Sequence, residues 1–251
     1  MKVLQSCVVA LAMYSKIPMP HLEWNKENMR YTVCFFPVVG AVIGALCWLW
    51  YGLSVRMELG SLLQAAGFVL IPVLVTGGIH LDGLLDTADA LSSWQTRERR
   101  LEILKDSHAG AFAIIVCCSY FTGDLAIWTE LRPSMLPILC LGFVLSRALS
   151  GFGIAAFPCA KNTGLVATFA NSLDRKRVRL VMVLEIAGII GAMLVVDLKA
   201  GLLAAVSALV VCLLCKRMAE KKFGGITGDI QGFFLQACEL AMAFAVILGG
   251  R

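Results

Sequence analysis

The chain has 251 residues, of which 59% are hydrophobic and only 16% charged, with a mean hydropathy of +0.82 and a net charge of +5. Soluble domains carry about 25% charged residues, so composition excludes a soluble globular domain and predicts an all-α, polytopic membrane bundle. The basic clusters carry no interleaved aromatics, which excludes nucleic-acid binding, and ten scattered cysteines, mostly inside apolar spans and without Cys/His spacing, exclude a zinc site or disulfide framework.

In chain order, Lys2 followed by an apolar run from Val3 to Tyr14 resembles a short signal peptide. Its shortness favours a helix lying in the membrane interface, ended by Pro18 and Pro20. Seven candidate spans follow, at 31–55, 59–81, 109–130, 134–158, 179–197, 200–215 and 231–250. Polar residues inside spans three to seven leave room for one miscounted or broken span. No repeat or linker divides the chain, so residues 1–251 read as one domain.

The connections test this layout. Alternate ones (the N-terminal arm, 82–108, 161–179 and 216–229) hold 17 of the 22 basic residues, and the others hold only Arg56, Arg132, Lys199 and Arg251. By the excess of Lys and Arg in cytoplasmic loops, the N-terminus is inside and the C-terminus outside.

The segment TGGIHLDGLLDTAD at 76–89 stands where the second span ends. Asp82, Asp86 and Asp89 fall at i, i+4 and i+7, on one face of a helix. Like charges a turn apart repel one another, and a divalent cation relieves that cost; Mg²⁺, with its oxygen ligands and retained waters, suits such a set. Two further motifs lie on the same cytoplasmic side: Lys105-Asp106-Ser107-His108 and Gly224-Gly225-Ile226-Thr227-Gly228-Asp229. Lys105 offers a phosphate-neutralising cation, Asp106 and Asp229 offer further ligands, and the glycines let backbone N–H groups approach an anion. Together these are parts of a metal-assisted site for a diphosphate.

Each motif also has a plain structural reading. Gly224–Gly228 reads equally as a turn before a helix, with Thr227 or Asp229 as N-cap. His80 and His108 read more readily as hydrogen-bonded structural residues than as bases, and His21 carries no signal. Arg147, Glu185 and Glu239 lie inside spans, where charges pair or line a polar cavity. Arg147 either reaches a substrate phosphate or neutralises a carboxylate.

TGGIHLDGLLDTAD, Glu102-Ile103-Leu104-Lys105-Asp106-Ser107 and GGITGD, in this order and spacing, resemble the cobalamin synthase family of adenosylcobinamide-GDP ribazoletransferases. Pro18, Pro20, Phe36-Pro37, Gly40, Gly44 and Ser146-Arg147 match as well, so the likeness covers essentially the whole chain. It implies a membrane enzyme that joins adenosylcobinamide-GDP to α-ribazole or α-ribazole 5′-phosphate with Mg²⁺. The products are adenosylcobalamin or its 5′-phosphate, and GMP. The resemblance assigns metal binding to Asp82, Asp86 and Asp89, then to Asp106 and Asp229. It gives substrate contacts to Lys105, Ser107, Arg147, Gly224, Gly225, Thr227 and Gly228. His80, Asp89 and Asp106 are the candidate bases. The implied location is the cell membrane, with cytoplasmic site loops; monomer or homo-oligomer is left open. The chain departs from commoner family patterns at Leu85, Ala90 and His108, the last making a fixed positive charge there doubtful.

Competing readings are a CDP-alcohol phosphatidyltransferase, a prenyltransferase and a secondary transporter. Leu85-Asp86 stands where the first would carry Ala-Arg. A transporter would place its acidic groups near the bilayer midplane, whereas these gather at one surface.

Overall fold

A computed structural model describes residues 2–20, 22, 26–106, 108–161 and 165–250. The described residues form helices and no sheet, as composition predicts. A short α1 (Lys2–Tyr14) and a single turn α2 (Lys26–Met29) precede α3 (Phe36–Arg56). Then come α4 (Ser61–Thr76), α5 (Ile79–Ser92), α6 (Arg97–Ile103), α7 (Ala111–Thr129), α8 (Leu136–Ala156) and α9 (Leu165–Ser172). The chain ends with α10 (Arg175–Val196), α11 (Leu198–Phe223) and α12 (Gly228–Gly249).

Among the described residues, six helical stretches are long and apolar enough to cross a membrane: Thr32–Arg56, Ala111–Thr129, Pro133–Ala156, Arg175–Val196, Leu198–Phe223 and Gly228–Gly249. The seventh expected span, 59–81, is not one straight helix. It stops at Thr76, and α5 leaves it at 94°. Gly77 and Gly78 cause the break, with φ of 65° and 78°, left-handed values that residues with a Cβ rarely take. The chain from 82 to 92 is therefore helical, where the span layout reads it as loop. The last three spans are also longer than hydropathy alone suggests, because basic or polar first and last turns extend them.

The centre of the bundle is α3 packed on α8, flanked by α10, α11 and α12. Gly40 and Gly44 give α3 that approach, since a Cβ at either would strike the α8 backbone. Phe36, Ile43, Phe68, Leu136, Leu145 and Phe234 fill the interior. Large apolar side chains such as Leu49, Leu74, Leu184, Val195 and Leu213 point outward. A bilayer solvates such a surface as readily as a core would, so the outward apolar faces agree with the span assignment. α1 ends at Tyr14, before Pro18, and packs against α3 and the 3₁₀ turn Thr32–Phe35. The arm beyond it is stitched to the α4–α5 elbow, where Lys16 N–H donates to the Val75 carbonyl at 2.7 Å.

Candidate active site

The site is built where α5 crosses α12. Two glycines make the crossing close: a Cβ at Gly83 would lie 2.6 Å from the Asp229 carbonyl oxygen, and one at Gly232 would lie 2.8 Å from the His80 carbonyl oxygen. Such approach of small residues brings helix backbones together, and here it carries the acidic face of α5 to the start of α12. The negative charges of Asp82, Asp229 and Asp89 all act on Asp86. Gly83→Ala is therefore expected to force α5 off α12 and lower both thermal stability and turnover, while Gly123→Ala on α7, whose Cβ meets nothing, leaves both near wild type. Equal behaviour of the two variants in a melting and activity series would remove the crossing from the account.

Asp82 and Asp86 make no ion pair and accept no side-chain hydrogen bond among the described residues. Asp229 takes one weak bond, from the Thr227 hydroxyl at 3.3 Å. Unneutralised carboxylates set together supply hard oxygen donors, the chemistry Mg²⁺ selects. No three described His, Cys, Asp or Glu side chains converge on one point as a finished chelate. That arrangement suits an ion that keeps several waters and takes only one or two carboxylates plus substrate phosphate.

Asp89 does a different job from its neighbours. Its two oxygens accept N–H groups of Gly110 and Ala113 at 2.5 and 2.9 Å, so the carboxylate caps the first turn of α7. It shares the acidic face in sequence, yet it anchors the next span. His80 is also set apart from solvent: it is 5% exposed, lies against Phe36 and Tyr14 with ring centroids 5.7 and 6.4 Å away, and its Nε2 has no partner.

Arg147 resolves the alternative that sequence leaves open. It is fully buried, and its Nη1 donates to Glu239 at 2.6 Å and to the Phe143 carbonyl at 2.9 Å. Ser146 donates to the same Glu239 oxygen at 2.8 Å. Arg147 thus neutralises a carboxylate inside the bundle, while its Nε and Nη2 have no partner among the described residues. A cavity of about 30 Å³ beside this pair is lined by Tyr120, Asp124, Gln236 and Glu239.

The GGITGD loop is shaped by its neighbours. Gly224 and Gly225 have φ of 78° and 150°, and their N–H groups donate to Glu220 and Ala219 carbonyls, closing α11. Those two N–H groups are thus committed to the helix end and do not form the anion nest that the glycines suggest. Ile226 N–H donates to Pro158 and its carbonyl accepts from Ala160, so the loop pairs with 158–160. Thr227 caps α12 by accepting from Ile230 N–H at 3.2 Å, and Gly228 opens that helix.

Lys105 and Asp106 follow α6 and are both exposed. Asp106 accepts the backbone N–H and ring Nδ1 of His108 at 3.0 and 2.8 Å, bonds that hold its carboxyl below the usual carboxylate range. Ser107 lies outside the described residues. Lys161, which sequence reasoning counts only for orientation, stands within electrostatic reach of Lys105 and Asp229. Burial first, then the Lys105 charge, lowers its ammonium pKa.

The model of one family, described as cobalamin-5-phosphate synthase, matches residues 6–247. A protein of Lachnoclostridium phytofermentans named adenosylcobinamide-GDP ribazoletransferase is 44% identical over 248 residues, covering 99% of this chain and 95% of the relative. Proteins of the same name from Geobacillus kaustophilus and from Clostridium botulinum Alaska E43 are 31% and 29% identical, covering 94% and 96% of this chain and 92% and 96% of theirs. No solved structure matches significantly. With a model matched over nearly its whole length, and with the polar motifs of that likeness gathered at one end of the bundle, the chain belongs to the cobalamin-5-phosphate synthase family of transferases in cobalamin synthesis.

Proposed function

We propose that the chain is the Mg²⁺-dependent adenosylcobinamide-GDP ribazoletransferase of a cell membrane, with its N-terminus and site loops in the cytoplasm. It joins adenosylcobinamide-GDP to α-ribazole or α-ribazole 5′-phosphate and releases GMP. The observation that supports this best is the pair of unneutralised carboxylates Asp82 and Asp86, brought to Asp229 by the Gly83–Gly232 crossing.

A ribose hydroxyl oxygen forms a bond to the phosphorus on the cobinamide arm, and the bond from that phosphorus to the bridging oxygen breaks, with GMP leaving. One or two carboxylates of the set Asp82, Asp86 and Asp229, with water and substrate phosphate, would hold Mg²⁺, which supplies neutralisation of the diphosphate's charge when bound. Lys105 contacts phosphate. Gly224, Gly225, Thr227 and Gly228 set the loop that brings Asp229 forward. Of the candidate bases, Asp89 is occupied by α7, His80 is walled off by Tyr14 and Phe36, and Asp106 is held below the usual carboxylate range by His108.

Protein purified into lipid and given both substrates with Mg²⁺ is expected to release GMP and form the joined corrinoid in equal amounts. GMP release no faster than in a protein-free control sinks this reading.

A further inference from the structure

The carboxylate side of the crossing faces cations that no sequence motif marks. Lys161 follows the 158–160 segment that pairs with the GGITGD loop, and its Nζ donates to the Leu101 carbonyl of α6 at 2.7 Å. That bond holds the ammonium between α6 and the start of α12. Asp229 lies close enough for their charges to interact, yet the two form no ion pair among the described residues. Arg97 approaches the same GGITGD loop. Its guanidinium occupies the space that a Gly224 side chain would fill, and it makes no hydrogen bond or ion pair among the described residues. One turn further along α6, Arg100 Nε is buried without a partner. A guanidinium laid on a left-handed glycine, an orphaned Nε and an ammonium without an ion pair among the described residues have donors to spare for an anion. The poles are separated: unneutralised carboxylates on α5 and α12, unneutralised cations on α6 and after Pro158.

We propose that Arg97 and Lys161, with Arg100 behind them, form a cationic clamp for the diphosphate of a nucleoside-diphosphate-linked substrate, set across the GGITGD loop from the Asp82–Asp86 face. Arg97 supplies planar, paired donors and Lys161 a point charge, the division of labour that guanidinium and ammonium groups show toward phosphate. Gly224 is required by its left-handed φ, and the space left by its missing Cβ is where the guanidinium lies. This assignment rests on the transferase reading for the identity of the substrate and on geometry alone for the anion.

The test is titration of inorganic pyrophosphate into the full chain in lipid nanodiscs without Mg²⁺, followed by calorimetry. Wild type is expected to bind with an affinity that falls as salt rises. Arg97→Ala and Lys161→Ala are each expected to weaken binding about tenfold, the loss of one charge-assisted hydrogen bond. Lys161→Arg is expected to restore most of it, and Arg132→Ala, at the other end of the bundle, to leave it unchanged. Melting temperatures near wild type separate lost binding from lost folding. Pyrophosphate binding that is unaffected in Arg97→Ala and Lys161→Ala, or that falls equally in Arg132→Ala, overturns the clamp. If the wild type binds pyrophosphate through these residues but never releases GMP, the clamp stands and the transferase reading falls.

Discussion

Asp82→Asn and Asp86→Asn are each expected to cut turnover about 10³-fold, the size of effect seen when one preorganised charged or polar contact to the transferring group is removed. The reason lies in what the two carboxylates lack. Neither has a cationic or hydrogen-bonding partner among the described residues, so replacing either by an isosteric amide breaks nothing that holds the fold. It removes one ionisable carboxyl, and the metal-ligand oxygen it supplies, from a cluster that includes Asp229. Stability should hold or rise, because like-charge repulsion is relieved, while activity collapses. Asp89→Asn should behave in the opposite way. Its oxygens cap α7, so the amide loses one acceptor and the protein loses about 1 kcal/mol, with turnover falling far less than in the other two. Parallel melting and turnover curves for the three variants check this, and equal behaviour of all three contradicts it.

Arg147→Ala is expected to be the most destabilising single change in the bundle, by about 3–5 kcal/mol, because it leaves Glu239 charged and unpaired among apolar helices. Removing both charges at once tests the cause. Arg147→Met with Glu239→Gln should recover most of the lost melting temperature, since two neutral side chains need no counter-ion. If the double variant is as unstable as Arg147→Ala, the loss comes from packing under Phe36 rather than from an orphaned charge.

What the sequence made legible follows from range. Asp82 and Asp86 were visible because helical spacing is local, and the α5 helix places them as that spacing predicts. The elbow at Gly77–Gly78 follows from a pair of glycines after an apolar run, yet hydropathy alone merges both arms into one span. Asp89 shares the same spacing and goes elsewhere, since nothing in a one-dimensional pattern shows that α7 begins beneath it. The Arg147–Glu239 pair joins residues 92 apart, and the Gly83–Gly232 crossing joins two helices far apart in the chain. Both contacts are set by packing of whole spans, which periodicity cannot register. Lys161 and Arg97 were hidden for a related reason: in a chain whose loops are rich in basic residues for orientation, a cation with a second role looks like all the others.

The most direct test of a metal–diphosphate site at the α5–α12 crossing is Mn²⁺ binding followed by electron paramagnetic resonance on the lipid-embedded chain. Wild type is expected to bind Mn²⁺ in competition with Mg²⁺, and Asp82→Asn with Asp86→Asn to lose that binding while keeping its melting temperature. Mn²⁺ bound equally well by the double variant would contradict the assignment.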